Sequence, residues 1–390
     1  MTKILLLDID GVLIQPKGYR AAVRAVIRTI GKFMGIDCLE VSDTILARFE
    51  AQGITSEFDM VPLLIGALWD DLLRENPPPN LSSDVLEAAS QIGEISSKSL
   101  SPGWQLGAQS IAPPFIPLKP YQFPAETAYH EGIYPHLPLA LRRNLLLHTR
   151  DPHLSTTTRL FQEYVLGTER FCRTYHLESM VQTESFLEKY DRPLVTPQGQ
   201  AFLRSISLQK DVHLCVMTSR PSLPPIEVKD IDGDYSAESE IALQKVGLEN
   251  IPIIGLGKIQ YVAKQHDVKP ERLLKPSAGH SLAAMVAALK GNELLAVQSA
   301  LKWQQEGILD EIAKIIPNEL ELHIVEDTLS GIHSARAATE ILNSNGHSVT
   351  LLPWGLTNDQ PEKIASFEKE GIPCFSKWKD LIAELQKWFS

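Results

Sequence analysis

Two carboxylates stand two residues apart near the start of the chain, directly after a run of four apolar residues. Asp8 and Asp10 follow residues 4–7 and precede Gly11. A short apolar run that stops at polar residues predicts a buried strand of a parallel sheet. Ligands of such sheets bind just outside the carboxyl ends of the strands. Because two close carboxylates repel each other without a cation between them, we expect a divalent ion such as Mg²⁺, one Asp as nucleophile and the other as proton carrier.

A second acidic pair follows a later apolar run. Residues 321–325 predict a strand, Glu326 and Asp327 come directly after it, and Gly331 opens a predicted helix over 331–338. Two adjacent acids at a strand end are costly to bury without a cation. The pattern therefore indicates a metal site, with Asp327 as a direct ligand. We expect Glu326 to act through water or to orient the other ligands.

A hydroxyl pair follows a third predicted strand, over 212–217. Thr218 and Ser219 stand at its end and are followed by Arg220. A hydroxyl and successive backbone N–H groups at a strand end can hold phosphate oxygens, but Thr-Ser also caps helices routinely. Thr218 is preferred for the side-chain contact because it directly follows the strand. For Arg220, a phosphate contact and a surface ion pair remain equal alternatives.

Two lysines compete for the role of the cation beside the nucleophile. Lys275 precedes Pro276 and a predicted helix over 280–289, and proline suits the first turn of a helix. A lysine at such a junction can neutralise a carboxylate and a phosphate together. Lys258 is its main rival, because it also follows a predicted strand and turn, over 251–258. A surface role is the ordinary alternative for either lysine.

These stretches resemble, in order, the four motifs of the haloacid dehalogenase (HAD) superfamily: DIDGVL, Thr218, Lys275-Pro276 and EDTLSGI. One departure is Ala278, where the family often has a second proline. The resemblance implies an aspartyl-phosphate formed on Asp8, with Asp10 as acid and base. It also implies that Thr218 and Lys275 hold the phosphoryl group. The implied Mg²⁺ ligands are Asp8, the backbone carbonyl of Asp10, Asp327 and, through water or by orientation, Glu326.

The implied activity is that of a Mg²⁺-dependent phosphatase acting on a small phosphorylated metabolite. Asp10 favours phosphoryl transfer over carbon–halogen chemistry, because dehalogenase members lack an acid/base there. The alternatives are a sugar phosphomutase of the same superfamily, a non-catalytic HAD-like binding protein and a phosphonate hydrolase. The last needs a lysine in the cap, and nothing singles out Lys17 or Lys32.

The elements that must position these residues predict an α/β fold. We expect a Rossmann-like, doubly wound parallel sheet from residues 1–17 and 189–390, interrupted by a mainly helical segment over 18–188. The resemblance identifies that segment as an inserted cap, which would close over the substrate and select it. Its predicted helices are 19–34, 43–50, 61–75, 83–92, 154–164 and 168–175. Pro-rich breaks are expected over 76–80 and 96–121.

The second part of the chain alternates strands and helices. The predicted helices there are 198–209, 236–246 with Ser236 as N-cap, 260–266, 293–303, 308–315 and 378–388. A last strand is expected over 349–353, with Trp354 and Gly355 in a loop. The segment 291–317 is longer than the compact family pattern, and the sequence assigns it no role.

Composition limits the partners. The 390 residues carry a net charge of −11, which argues against nucleic acid and anionic membranes. Four scattered cysteines indicate free thiols in a reducing compartment. No signal peptide or membrane-spanning stretch is evident, so we expect a cytoplasmic protein with a small phosphorylated substrate. Substrate identity and oligomeric state cannot be read from the sequence.

Overall fold

The computed structural model describes residues 1–36, 39–75, 80–96, 114–117, 119, 122–229, 231 and 234–389. The chain forms two compact units. The first consists of Met1–Pro16 and Asp191–Ser390, and the second is Lys17–Tyr190. Most of the Pro-rich break at 76–80 and most of the irregular segment 96–121 lie outside the described residues.

A parallel sheet forms the centre of the first unit. Six strands follow one another in the order β5-β4-β1-β6-β7-β8, and β2 and β3 form a separate antiparallel pair. The predicted α/β class with a parallel sheet is confirmed. The strands are β1 Thr2–Leu7, β2 Ile14–Gln15, β3 Arg192–Pro193, β4 Val212–Met217, β5 Ile253–Ile254, β6 Glu319–Glu326, β7 Ser348–Leu356 and β8 Cys374–Phe375.

Helices make up most of the rest of the described chain. Those of the second unit are α1 Lys17–Phe33, α2 Asp43–Ala51, α3 Glu57–Glu75, α4 Val85–Ser96, α5 Pro124–His130, α6 Leu139–Leu146, α7 Thr156–Leu166, α8 Thr168–Tyr175 and α9 Phe186–Tyr190. Those of the first unit are α10 Pro197–Ile206, α11 Glu238–Val246, α12 Leu256–Gln265, α13 Ala278–Lys290, α14 Glu293–Glu306, α15 Asp310–Ile315, α16 Leu329–Ser344, α17 Pro361–Lys369 and α18 Trp378–Phe389. In the described chain, no helix is both long and apolar enough to cross a membrane.

Strand β1 is buried on both faces. Its side chains alternate between the two faces of the sheet, and helices cover each face. Ile4 and Leu6 pack into the core formed with α12 to α16, whereas Leu5 and Leu7 pack into the core formed with α10, α11 and α18. The segment 291–317, which has no role in the sequence pattern, supplies α14 and α15 to the first of these cores. Its part in the fold is therefore to cover one face of the sheet.

The helix α1 shows why the second unit is helical. Val23, Val26 and Ile30 are fully buried on one face, as the 3.6-residue spacing predicts. Arginines on its other side form exposed ion pairs, each worth little by itself. These pairs join Arg20 to Glu50, Arg24 to Asp43 and Arg28 to Glu40.

Three local predictions are wrong. Lys258 lies in the first turn of α12 rather than in a turn, because Gly255 caps that helix and Gly257 packs closely on the Ser222 carbonyl. Trp354 and Gly355 belong to β7, where they pair with the end of β6. The N-cap of α11 is Ala237, and the Ser236 hydroxyl instead donates to the Glu238 side chain. At Lys258 and Trp354 a contact with a distant segment outweighs the local signal, whereas at Ser236 a bond to a side chain two positions on replaces the cap.

Candidate active site

The strand ends bring the predicted site residues to one edge of the sheet. In the parallel pairing, Leu7 of β1 lies opposite Val216 of β4 and Val325 of β6. Because all three strands run in the same direction, the residues that follow them emerge at the same edge. Asp8, Thr218 and Glu326 therefore come from distant parts of the chain to one side of the sheet.

The loop after β1 is held by hydrogen bonds from several elements. The Asp8 N–H donates to the Val325 carbonyl at 3.1 Å. The Asn358 side chain, beyond β7, donates to the Gly11 carbonyl at 2.8 Å. Gly11 has φ +75°, and a Cβ there would lie 2.0 Å from a carboxylate oxygen of Asp327. The turn therefore needs glycine for its backbone and for the close approach of that acid.

Three acids form a cluster at this edge, which we call the acid cluster: Asp8, Glu326 and Asp327. Each can offer one carboxylate oxygen such that all three oxygens lie within 4.8 Å of one another. Burial raises the pKa of Glu326 and of Asp327. The Glu326 side chain packs against Gly331, where a Cβ would lie 1.8 Å from its Oε1. The glycine of the last motif thus makes room for the buried acid.

Lys275 is the lysine that meets the acid cluster. Its Nζ lies 3.0 Å from Asp8 Oδ1 and 2.6 Å from Glu326 Oε1. Burial favours its neutral form, but the carboxylates of Asp8 and Glu326 outweigh this effect and raise the pKa of Lys275. It therefore carries a positive charge between two acids.

Two side chains fix the loop that carries Lys275. The Lys275 N–H donates to His280 Nδ1 at 3.1 Å, so the other ring nitrogen carries the hydrogen and donates to the Ile254 carbonyl at 3.0 Å. The Ser334 hydroxyl, from α16, donates to the Ser277 carbonyl at 2.6 Å. Burial lowers the pKa of His280 to about 3, which keeps this ring neutral.

Lys258, the rival lysine, lies in a different cluster. It pairs with Glu240 at 3.1 Å and Glu293 at 3.2 Å and donates to the Pro224 carbonyl at 3.0 Å. No contact with Asp8 is found for it among the described residues. The structure therefore places Lys275, the lysine preferred from the sequence, beside Asp8 and its rival Lys258 elsewhere.

A second ammonium group approaches the acid cluster from α17. Lys363 pairs with Asp327 Oδ2. A cavity of about 240 Å³ opens beside this pair, lined by Asp327, Thr328, Leu329, Glu362, Lys363, Ser366 and Phe367. No sequence signal distinguished Lys363 from a surface lysine, since it lies in a helix that the pattern did not predict.

The acid cluster fits a divalent cation. Three carboxyl groups face two ammonium groups, so the cluster would carry excess negative charge with all three acids ionised. Within the described part of the chain, Glu326 Oε2 is buried and has no hydrogen-bond partner, and such an oxygen is costly to bury without one. Carboxylate oxygens are the ligands that Mg²⁺ prefers. The backbone carbonyl of Asp10, expected as a further ligand, stays a prediction.

Asp10 lies beside a buried arginine rather than in the acid cluster. Arg220 Nη1 is 3.7 Å from Asp10 Oδ1, and Arg220 Nη2 is 2.8 Å from Asp191 Oδ2. The pKa of Asp10 is raised to about 7 by burial; Arg220 opposes the shift and the acids at 8, 191 and 327 add to it. Arg220 is therefore an internal ion-pair partner, which excludes the surface alternative. Asp191 was missed, because no motif marks it.

Thr218 lies at the end of β4, as predicted, and is buried. Its hydroxyl accepts a hydrogen bond from the Arg220 N–H at 3.2 Å. Its own N–H donates to the Ile254 carbonyl at 3.0 Å. The hydroxyl thus shapes the turn after β4, and its contact with a phosphoryl group stays a prediction.

The comparisons with known proteins support the fold. No protein-family model matches the chain, and no curated protein matches its sequence. An X-ray structure of a Northeast Structural Genomics Consortium target aligns with 100% of this chain and 99% of its own, with a TM-score of 0.63 and 15% identity. Phosphatase Tt82 from Thermococcus thioreducens aligns with 94% of this chain and 98% of its own, with a TM-score of 0.43 and 14% identity. The first likeness shows a shared fold alone, and the TM-score of the second is too low to carry an argument.

Proposed function

We propose that the protein is a Mg²⁺-dependent phosphatase that acts on a small phosphorylated metabolite through an aspartyl-phosphate on Asp8. The observation that carries the proposal is the placement of Lys275 between Asp8 and Glu326 beside a third acid, Asp327. A structural ion pair does not need three acids at the edge of a sheet where ligands bind. The resemblance of the four motifs to the HAD superfamily points to the same chemistry.

The acid cluster would hold Mg²⁺ through Asp8 and Asp327, with Glu326 as a water-mediated or orienting group. When bound, the ion would neutralise the acids and draw the oxygens of a phosphoryl group toward Asp8. Lys275 would add a fixed positive charge on the same group as negative charge spreads over its oxygens.

Side chains of the protein would carry out the remaining chemical steps. Asp8 would attack phosphorus, and Asp10 would give its proton to the leaving oxygen. Asp10 would then take a proton from the water that hydrolyses the aspartyl-phosphate. A pKa of about 7 suits a group that must act as acid and then as base near neutral pH. Thr218 would contribute its hydroxyl to the phosphoryl oxygens.

The helical unit Lys17–Tyr190 is proposed to be the inserted cap. Its position in the chain, between the Asp8 motif and Thr218, is the basis of this assignment. We infer that it selects the leaving group, since the acid cluster and Lys275 address only the phosphoryl group.

The test is a phosphate-release screen over a panel of phosphorylated metabolites, with Mg²⁺ or with EDTA, using Asp8→Asn as the blank. We expect release that needs both Mg²⁺ and Asp8. Phosphate release by Asp8→Asn at the parent rate would refute the mechanism, and so would a parent rate that EDTA does not lower. An isomerised sugar phosphate without free phosphate would instead identify a mutase.

A further inference from the structure

A buried arginine joins Asp10 to a second acid. Arg220 and Asp191 are both buried, and their ion pair is short, at 2.8 Å between Nη2 and Oδ2. The other terminal nitrogen of Arg220 faces Asp10 Oδ1 at 3.7 Å. Arg220 therefore bridges two carboxylates at unequal distances, the shorter contact being the one to Asp191.

Both members of the pair are anchored by their backbones. The Arg220 N–H donates to Thr218 Oγ, and its carbonyl accepts from the Leu256 N–H at 3.1 Å. The Asp191 carbonyl accepts from Lys245 Nζ at 3.2 Å. Asp191 also directly precedes β3, which pairs with β2 just beyond the Asp10 loop. The Arg220–Asp191 pair beside Asp10 is thus held by the turn after β4, by α11 and by the β2–β3 pairing.

The unequal distances matter for a proton carrier. A guanidinium and a carboxylate prefer a short, bidentate pair, which would occupy both carboxylate oxygens. Here Asp191 takes the short contact, and Asp10 Oδ1 has no hydrogen bond within the described chain. The Asp10 carboxyl is therefore attracted toward Arg220 through its buried Oδ1 without being locked in a bidentate pair.

We propose that Asp191 and Arg220 are positioning residues that hold the Asp10 carboxyl in line with the leaving oxygen of the substrate. The inference deepens, and rests on, the proposed phosphatase function. In the step concerned, an Asp8 oxygen bonds to phosphorus while the bond from phosphorus to the ester oxygen breaks. Its electron pair stays on the ester oxygen, which takes the proton of Asp10 and leaves as the alcohol.

The test compares two leaving groups, with Mg²⁺ present. Glycerol 2-phosphate releases an alkoxide that needs a proton, whereas p-nitrophenyl phosphate releases a stable phenolate that does not. We expect Asp191→Asn and Arg220→Gln to lower kcat on glycerol 2-phosphate by about tenfold more than on p-nitrophenyl phosphate, within the range of general acid catalysis. A purely structural defect would lower both alike.

A double-mutant cycle tests whether the effect of Asp191→Asn acts through Asp10. In an Asp10→Asn background, Asp191→Asn should change the ratio of the two rates by less than about twofold, because the positioned group is gone. Glu240→Gln, at the Lys258 ion pair, is the matched control and should leave the ratio unchanged. Thermal unfolding of each variant reports its folded fraction.

The outcomes are distinguishable. Equal losses on both esters, or an Asp191 effect that persists without Asp10, would overturn the inference while leaving the phosphatase proposal in place. A parent protein that releases phosphate from neither ester, nor from the metabolite panel, would overturn the proposed function and the inference with it.

Discussion

The first unit contains two clusters in which a buried lysine meets two carboxylates, and they differ in how their oxygens are satisfied. Around Lys258, both oxygens of Glu293 accept backbone N–H groups, from Ile226 at 3.0 Å and Ile253 at 2.9 Å. Both oxygens of Glu240 accept the Leu223 N–H, at 3.1 and 3.2 Å. This cluster ties the loop after β4 to α11, α12 and α14.

Around Lys275 the acids outnumber the ammonium groups that pair with them. Asp327 adds a third carboxylate, and Glu326 Oε2 has no partner among the described residues. A buried carboxylate oxygen without a hydrogen bond is unfavourable for folding. The difference is what we expect if the Lys258 cluster serves stability and the Lys275 cluster binds the proposed cation.

The largest expected effect separates the two lysines by activity. Lys275→Met should lower kcat/KM for phosphate release by about 10³-fold, because the phosphoryl oxygens lose a fixed positive charge. Lys258→Met should change it by less than about twofold at a temperature where the variant is folded. Kinetics with p-nitrophenyl phosphate, together with circular dichroism, measure both. Comparable losses in the two variants would erase the distinction between the clusters.

The next prediction compares how replacing one acid in each cluster changes the free energy of unfolding, without metal. Glu293→Gln should cost about 3 kcal/mol, since it weakens a buried, fully bonded ion pair. Glu326→Gln should be neutral or stabilising in EDTA, because burial and neighbouring acids already disfavour the ionised group. Urea unfolding of both variants gives the two values. A Glu326→Gln cost equal to that of Glu293→Gln would mean that both clusters are structural.

Mg²⁺ should stabilise the protein through one cluster only. At a concentration one hundred times Kd, a ligand that binds only the folded state adds about 2.7 kcal/mol. We expect thermal unfolding to show this gain in the parent and in Glu240→Gln, and to show it reduced in Asp327→Asn. An equal gain in all three proteins would place the ion elsewhere.

The last prediction concerns pH. The pKa of His280 is about 3 in the folded protein and about 6.5 in an unfolded chain, so below pH 6.5 only the unfolded state takes up this proton. Stability should therefore fall with pH from about 6.5 toward 3, by up to about 1.4 kcal/mol per unit for this group. His280→Gln should reduce that slope, and the exposed His266→Gln should not. An unchanged slope in His280→Gln would contradict a buried neutral ring.

Much of the site could be predicted because its signals are local. Two acidic pairs follow apolar runs, and short apolar runs are typical of strands buried on both faces. The pairs are Asp8 with Asp10 and Glu326 with Asp327. The parallel α/β class follows from the same runs alternating with helical periods. The failures at Lys258 and Trp354 have one cause, since a helix start and a strand end were each extended by contacts with distant segments.

Other site residues carried no local signal. Asp191 and Arg220 are 29 positions apart, and only the β2–β3 pairing and the turn after β4 bring them together. Lys363 is 36 positions from Asp327, in a helix without a clear apolar pattern. His280 acts through the backbone of Lys275, a contact that no spacing rule marks.

The amino-acid sequence by itself determined that acids would stand at the ends of buried strands, because an apolar run and the polar residues that stop it are contiguous in the chain. Only the tertiary structure decided which lysine meets Asp8 and which acid balances Arg220. Those choices depend on strand order and helix packing, which join residues far apart in the chain, and Coulomb attraction acts on the distances that this packing sets.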